Sequence, residues 1–110
     1  MDNNQQIECN NGKIYICSPY RGDVELNVGK TREYCKEAIL KGYIPIAPHI
    51  YFTQFLDDNN AQERELAFGI NKTLIEECCK LWVCGDYISE GMQIEIDFAN
   101  FIGIPVVNEI

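Results

Sequence analysis

Lys13-Ile14-Tyr15-Ile16-Cys17-Ser18-Pro19-Tyr20-Arg21-Gly22 falls into two halves of opposite character. Its first half is a β-branched and aromatic run that reads as a short strand. Its second half carries Pro19 and Gly22, which forbid continuation as strand or helix. A helical period follows from about Asn27 to Lys41, where Val28, Cys35, Ala38 and Ile39 recur and Gly42 stands where a C-terminal cap belongs. Strand, loop and helix in that order open an α/β unit. Ahead of it, residues 1–12 are polar and end in Asn10-Asn11-Gly12, so they read as a flexible lead-in to one domain over 13–110.

The alternation continues down the chain. Tyr43 to Ala47 is a second apolar run, closed by Pro48, while Ile50 to Asp58 follows no regular period and reads as a functional loop with a short helical turn. Glu63 to about Cys79 returns to helix, with Leu66, Ile70, Leu74 and Cys78 on one face. Leu81 to Cys84 is a buried strand. Ser89 caps a helix carrying Met92, Ile96, Ala99 and Phe101, Gly103 ends it, and Ile104 to Val107 opens a last strand. This β-α-β-α-β-α-β order predicts a three-layer, Rossmann- or flavodoxin-like parallel sheet with right-handed crossovers and strand order 2-1-3-4. Ligands of such sheets bind beyond the carboxyl ends of the strands, at the switch point. Ser18 to Gly22, Pro48 to Asp58 and Gly85 to Gly91 therefore belong around one crevice.

Composition narrows the partners. The 110 residues include 9 Lys+Arg against 17 Asp+Glu, a net charge of −8 that repels nucleic acid and anionic membrane alike. No apolar run nears the roughly 20 residues of a bilayer span, and Met1 to Gln6 show no signal-peptide pattern, so a cytoplasmic location is expected. Six cysteines read as mostly reduced and buried, since Cys17 and Cys84 sit inside apolar runs. There is no CxxC pair and His49 is the sole histidine, so neither a metal nor another cofactor is expected.

Two constellations carry candidate chemistry. In Ser89-Glu90-Gly91-Met92-Gln93-Ile94-Glu95 a serine cap and a glycine stand at a helix N-terminus, where free N–H groups favour an anion such as a phosphate, and Glu95 follows one turn on, facing as Met92 does. The plainer alternative is a solvated glutamate behind a routine cap. In Ser18 to Gly22, Arg21 offers a guanidinium to a carboxylate or phosphate and Gly22 permits close backbone approach; the alternative is an ordinary turn. Tyr15 is either a core tyrosine or a functional hydroxyl. His49 is either a ligand contact or a satisfied loop residue, and Tyr51, Phe52 and Phe55 form either a stacking wall or a cover for the sheet's open end. Arg64 pairs with Asp57 or Asp58 across the crevice or lies in solvent, and Asp86 joins the ligand-contacting candidates from the loop after the third strand.

Lys13 to Cys17 with Arg21-Gly22, the strand Leu81 to Cys84, and a helix marked Ser89-x-Gly91-x-x-x-Glu95-x-x-x-Ala99 resemble the nucleoside 2-deoxyribosyltransferase-like superfamily over residues 13 to about 107. The Ser89 to Glu95 spacing is more similar to its branch of nucleoside 5′-monophosphate N-glycosidases, where a serine at this place receives phosphate, than to the transferases, which carry an aspartate there. With Pro48-His49-Ile50-Tyr51-Phe52 and Phe55-Leu56-Asp57-Asp58, the chain resembles most closely a small subgroup from bacteria and their phages. The resemblance implies that Glu95 attacks the anomeric carbon to make a glycosyl ester and that Tyr15 orients it. It also implies a homo-oligomer whose subunits complete one another's pockets. Where relatives place an aspartate to protonate the departing base, eighteen residues ahead of the serine, this chain has Asn71, which hydrogen-bonds a base but delivers no proton. Asp57, Asp58 or Glu65 would have to substitute. The resemblance thus supports an N-glycosidic-bond enzyme on a nucleoside monophosphate-type ligand or, alternatively, a non-catalytic binder that sequesters a nucleotide or ADP-ribose-type signalling molecule. An interaction module with a vestigial pocket is the third reading.

Overall fold

The computed structural model describes residues 11–109; residues 1–10, most of the expected lead-in, lie outside the described residues, as does residue 110. The chain runs β1 (Lys13–Cys17), α1 (Val24–Leu40), β2 (Ile44–Ile46), α2 (Pro48–Tyr51), a 3-10 turn (Phe52–Gln54), α3 (Ala61–Glu76), β3 (Lys80–Val83), α4 (Glu90–Ile102) and β4 (Val106–Asn108). All strand pairs are parallel, in the order β2-β1-β3-β4 expected from the alternation. Tyr15 pairs with Ile46 on one side and Leu81 on the other, which centres β1 in the sheet.

Period-two alternation along β1 divides the core. Ile14 and Ile16 enter a cluster with Ala38, Trp82 and Cys84 beneath α1. Tyr15 and Cys17 enter the opposite cluster, built with Ile75, Leu81, Met92, Ile96 and Ala99 from α3, β3 and α4. Helices on both faces thus make the three layers.

Local chemistry sets the helix ends. Asp23 accepts a hydrogen bond from the Leu26 N–H, so α1 starts ahead of the expected Asn27. Asn60 caps α3 through the Glu63 N–H. Ser89 accepts from the Met92 N–H at 3.3 Å, and Gly103 closes α4 in the left-handed region at φ 84°.

Two apolar stripes expected from the sequence hold in part: Leu74 and Cys78 on one, and Cys35 and Ala38 on the other, pack into the core. On α3, Leu66 and Ile70 are 62% and 44% exposed, and the inward face also carries Asn71 and Ile75. On α1, Ile39 is exposed, while Asn27, Thr31 and Ala38 are buried. In both helices polar side chains turn inward toward hydrogen-bond partners and leave aliphatic ones outside, which defeats a reading based on hydrophobic period alone. Of the cysteines, Cys17, Cys35, Cys78 and Cys84 are free and all but Cys35 are buried. Cys79 is the exception to this mostly reduced set: it is disulfide-bonded, and its half-buried place at the α3–β3 junction leaves it nearer the surface than the core thiols. No described helix is long and apolar enough to cross a membrane.

Candidate active site

The carboxyl ends of β1 and β3 feed loops that approach closely at the switch point. Gly85 sits at φ 106°, and a Cβ there would come within 2.9 Å of Pro19 Cδ, so glycine is required both by the backbone conformation and by the neighbouring loop. The cleft opens beside this junction. Ser18, Tyr20, Arg21, His49, Asn71, Ser89, Gly91, Met92 and Glu95 all line it.

Glu95 anchors its inner wall. The Tyr15 hydroxyl donates to Glu95 Oε2 at 2.9 Å, and Asn71 Nδ2 donates to the same oxygen at 3.2 Å. Tyr15 is fully buried and fixed by the strand, and Asn71 is 5% exposed on α3, so two rigid elements aim the carboxylate. Burial pushes the Glu95 carboxyl up to about 7, against the opposing effect of hydrogen bonds from Tyr15, Asn71 and Cys17. Burial and the adjacent Glu95 charge raise the Tyr15 phenol well above its ordinary range, so it stays a donor. The Cys17 thiol is raised for the same two reasons. Asn71 Oδ1 is buried and has no hydrogen-bond partner among the described residues.

The second wall is a polar chain. His49 Nε2 lies 2.9 Å from Ser18 Oγ, which lies 2.8 Å from Thr31 Oγ1. Thr31 donates to the Asn27 carbonyl at 2.9 Å. Burial lowers His49 to about 4, so the ring is neutral at pH 7. His49 therefore both lines the cleft and has a satisfied nitrogen.

The rim is an ion cluster. Arg21 Nε meets Asp58 Oδ2 at 2.5 Å and Arg21 Nη2 donates to the Asp58 carbonyl at 2.6 Å, which ties the loop after β1 to the segment before α3. Arg64 Nε stands 3.8 Å from Asp58 Oδ1, with its guanidinium 5.0 Å over the Phe68 ring. A Cβ on Gly91 would lie 3.7 Å from Arg64 Nη2, so it is Arg64 that stands against the N-terminus of α4. Arg21, read from the sequence as the anion-gripping guanidinium, lines the cleft with its Nε and Nη2 engaged by Asp58.

Six sequence candidates lie outside the cleft: Pro19, Gly22, Asp86, the exposed rings of Tyr51 and Phe55, and Glu65, which borders a groove along α3. Pro19 and Asp86 border a separate depression on the α1 side. Asp86 is largely exposed and faces Lys30 at 3.8 Å, because the turn at Gly85 carries it away from the cleft. Gly22 lines a neighbouring groove with Arg21 and Asp58. Sequence reading missed Phe68, which enters the cleft from α3; its spacing from Arg64 and Asn71, four before and three after, was the available sign. Among the described residues no group of three or more His, Cys, Asp or Glu could hold a metal ion.

A family model described as a domain of unknown function, DUF7768, matches residues 12–109. The chain belongs to that family. No curated protein matches it in sequence. A solved structure of a 2-deoxyribosyltransferase from the psychrotolerant bacterium Bacillus psychrosaccharolyticus is similar at a TM-score of 0.63 and 21% identity, over 89% of this chain and 75% of that one. The likeness shows that the two share a fold.

Proposed function

We propose that this DUF7768 chain acts on the N-glycosidic bond of a nucleoside-type ligand, with a 5′-monophosphate as the favoured form and Glu95 as nucleophile. One observation carries the reading: a buried carboxylate at a cleft wall, held on a single oxygen by Tyr15 and Asn71. A solvated surface glutamate has no such holders and no such burial. The fold shared with a 2-deoxyribosyltransferase supports the same assignment by analogy. Glu95 would attack the anomeric carbon, and water or a second base would resolve the glycosyl ester. Ser89 and the N–H groups around Gly91 would receive the phosphate, with Arg64 beside them.

Asn71 favours a second reading, because an amide supplies no proton to a leaving base: a protein that holds a nucleotide or ADP-ribose-type ligand intact. Incubation with a panel of nucleosides and nucleotides separates the two. Free base in the chromatogram supports the first; ligand bound and recovered intact overturns it in favour of the second. Calorimetry tests the phosphate, since equal affinity for a nucleotide and its nucleoside would remove it from the site. In either case we hold that the chain works in the cytoplasm as a homo-oligomer, its exposed Leu66 and Ile70 supporting a dimer through α3. A monomer by light scattering at tens of micromolar would overturn that assembly.

A further inference from the structure

We propose that the cleft takes N-glycosides whose base already carries a positive charge, such as pyridinium or N-alkylated purine ribosides. The proposal rests on the reading of Glu95 as nucleophile and names the substrate class for it.

It follows from where protons are. Breaking the bond between an anomeric carbon and a neutral heterocycle leaves an anionic nitrogen, which departs slowly unless a proton reaches it. Asn71, beside Glu95, has none to give. The Tyr15 proton is held on Glu95. His49 is neutral and its Nε2 is bound to Ser18. Asp58 receives Arg21 and faces Arg64, and Glu63 accepts from the Asp57 N–H, so these carboxylates act as acceptors within the rim.

Three further observations point to a cation. Asp57, Asp58, Glu63, Glu90 and Glu95 line the cleft against two guanidiniums, both of which face Asp58, and this excess of negative charge favours a positive heterocycle. A phenyl face in the cleft already carries a cation, the guanidinium of Arg64 over Phe68. Asn71 Oδ1, buried and without a partner among the described residues, is an acceptor waiting for an N–H or an electron-poor ring edge.

The step balances without an acid. A Glu95 oxygen bonds to the anomeric carbon as the carbon–nitrogen bond breaks, and the bonding pair passes to the ring nitrogen and cancels its charge. The base leaves neutral. Water then attacks the anomeric carbon, the ester bond returns its pair to Glu95, and the proton of the water passes to solvent.

The test measures base release from 7-methylguanosine 5′-monophosphate against guanosine 5′-monophosphate, and from nicotinamide mononucleotide against adenosine 5′-monophosphate, each over its rate without protein. Wild type is expected to accelerate the cationic member of each pair at least about a hundredfold more than the neutral one. Asn71→Asp, which installs a proton donor, is expected to raise release from the neutral members about tenfold or more relative to the cationic ones. Equal acceleration within each pair, acceleration of the neutral members alone, or a uniform gain in Asn71→Asp would overturn the substrate class while leaving Glu95 as nucleophile. Release from none of the four would overturn the nucleophile reading and the substrate class with it.

Discussion

The two sides of β1 differ although their residues are equally buried. Ile14, Ile16, Tyr15 and Cys17 all have 0% exposure, yet Ile14 and Ile16 meet apolar partners beneath α1, whereas the Tyr15 hydroxyl reaches a carboxylate on α4. One side lowers the free energy of the fold by removing aliphatic surface from water. The other keeps a carboxylate where desolvation disfavours its charge. A single strand therefore separates apolar packing from the buried carboxylate by the parity of its residues.

Glu95→Gln puts the greatest strain on that comparison. Base release is expected to fall at least about a thousandfold, since the amide keeps the shape but cannot form the ester. Stability should move the other way. The Glu95 carboxyl titrates near 7 in the fold against an ordinary 4.5, so the folded state holds its proton more tightly. That contribution is fully present below about 4.5 and is lost as pH rises through about 7. A glutamine has nothing to lose over that range. Denaturant melts should therefore show the variant gaining on wild type between pH 4.5 and 8, by at most about 3 kcal/mol. A variant less stable than wild type at pH 8 would mean that the carboxylate supports the fold.

Ile16→Ala probes the other side. Removing a fully buried aliphatic chain should cost about 2–5 kcal/mol, with no change in the pH at which activity is half-maximal. A shifted midpoint would show that the two sides are coupled through the strand.

What could be read from the sequence follows the same division. The strand at Lys13, the Ser89 cap and the Gly103 stop are local features, and each stands where the sequence placed it. The strand order also follows from the alternation of elements. The inward face of α3 departs in part from the apolar period, with Leu66 and Ile70 exposed, because Arg64 and Asn71 turn toward partners contributed by other parts of the chain. The Cys17 thiol donates to the Met92 carbonyl at 3.7 Å, a contact between residues far apart in sequence that no local pattern announces. Arg21 and Asp86 show the same limit: the loops carrying them were legible, but which way each side chain would turn depended on Asp58 and Lys30.

Tyr15→Phe is the smallest change and the sharpest test of the division. The phenylalanine preserves the ring that shares a core cluster with Cys17 and Ile75, so stability should change by less than about 1.5 kcal/mol. The lost hydroxyl was one of the hydrogen bonds that lower the Glu95 carboxyl toward about 7. Without it the carboxyl titrates higher, and a smaller fraction of Glu95 is ionised at any pH below the new midpoint. If Glu95 attacks as a carboxylate, the pH–rate midpoint should move up by about one unit, a charge-assisted hydrogen bond being worth roughly 1.5–3 kcal/mol. The deficit should approach tenfold at pH 6 and narrow above pH 9, where both proteins are fully ionised. A rate lost equally at every pH would mean that Tyr15 acts on geometry alone. A midpoint that falls would mean that the hydroxyl favours the protonated carboxyl, which would reverse the electrostatic account of this side of the strand.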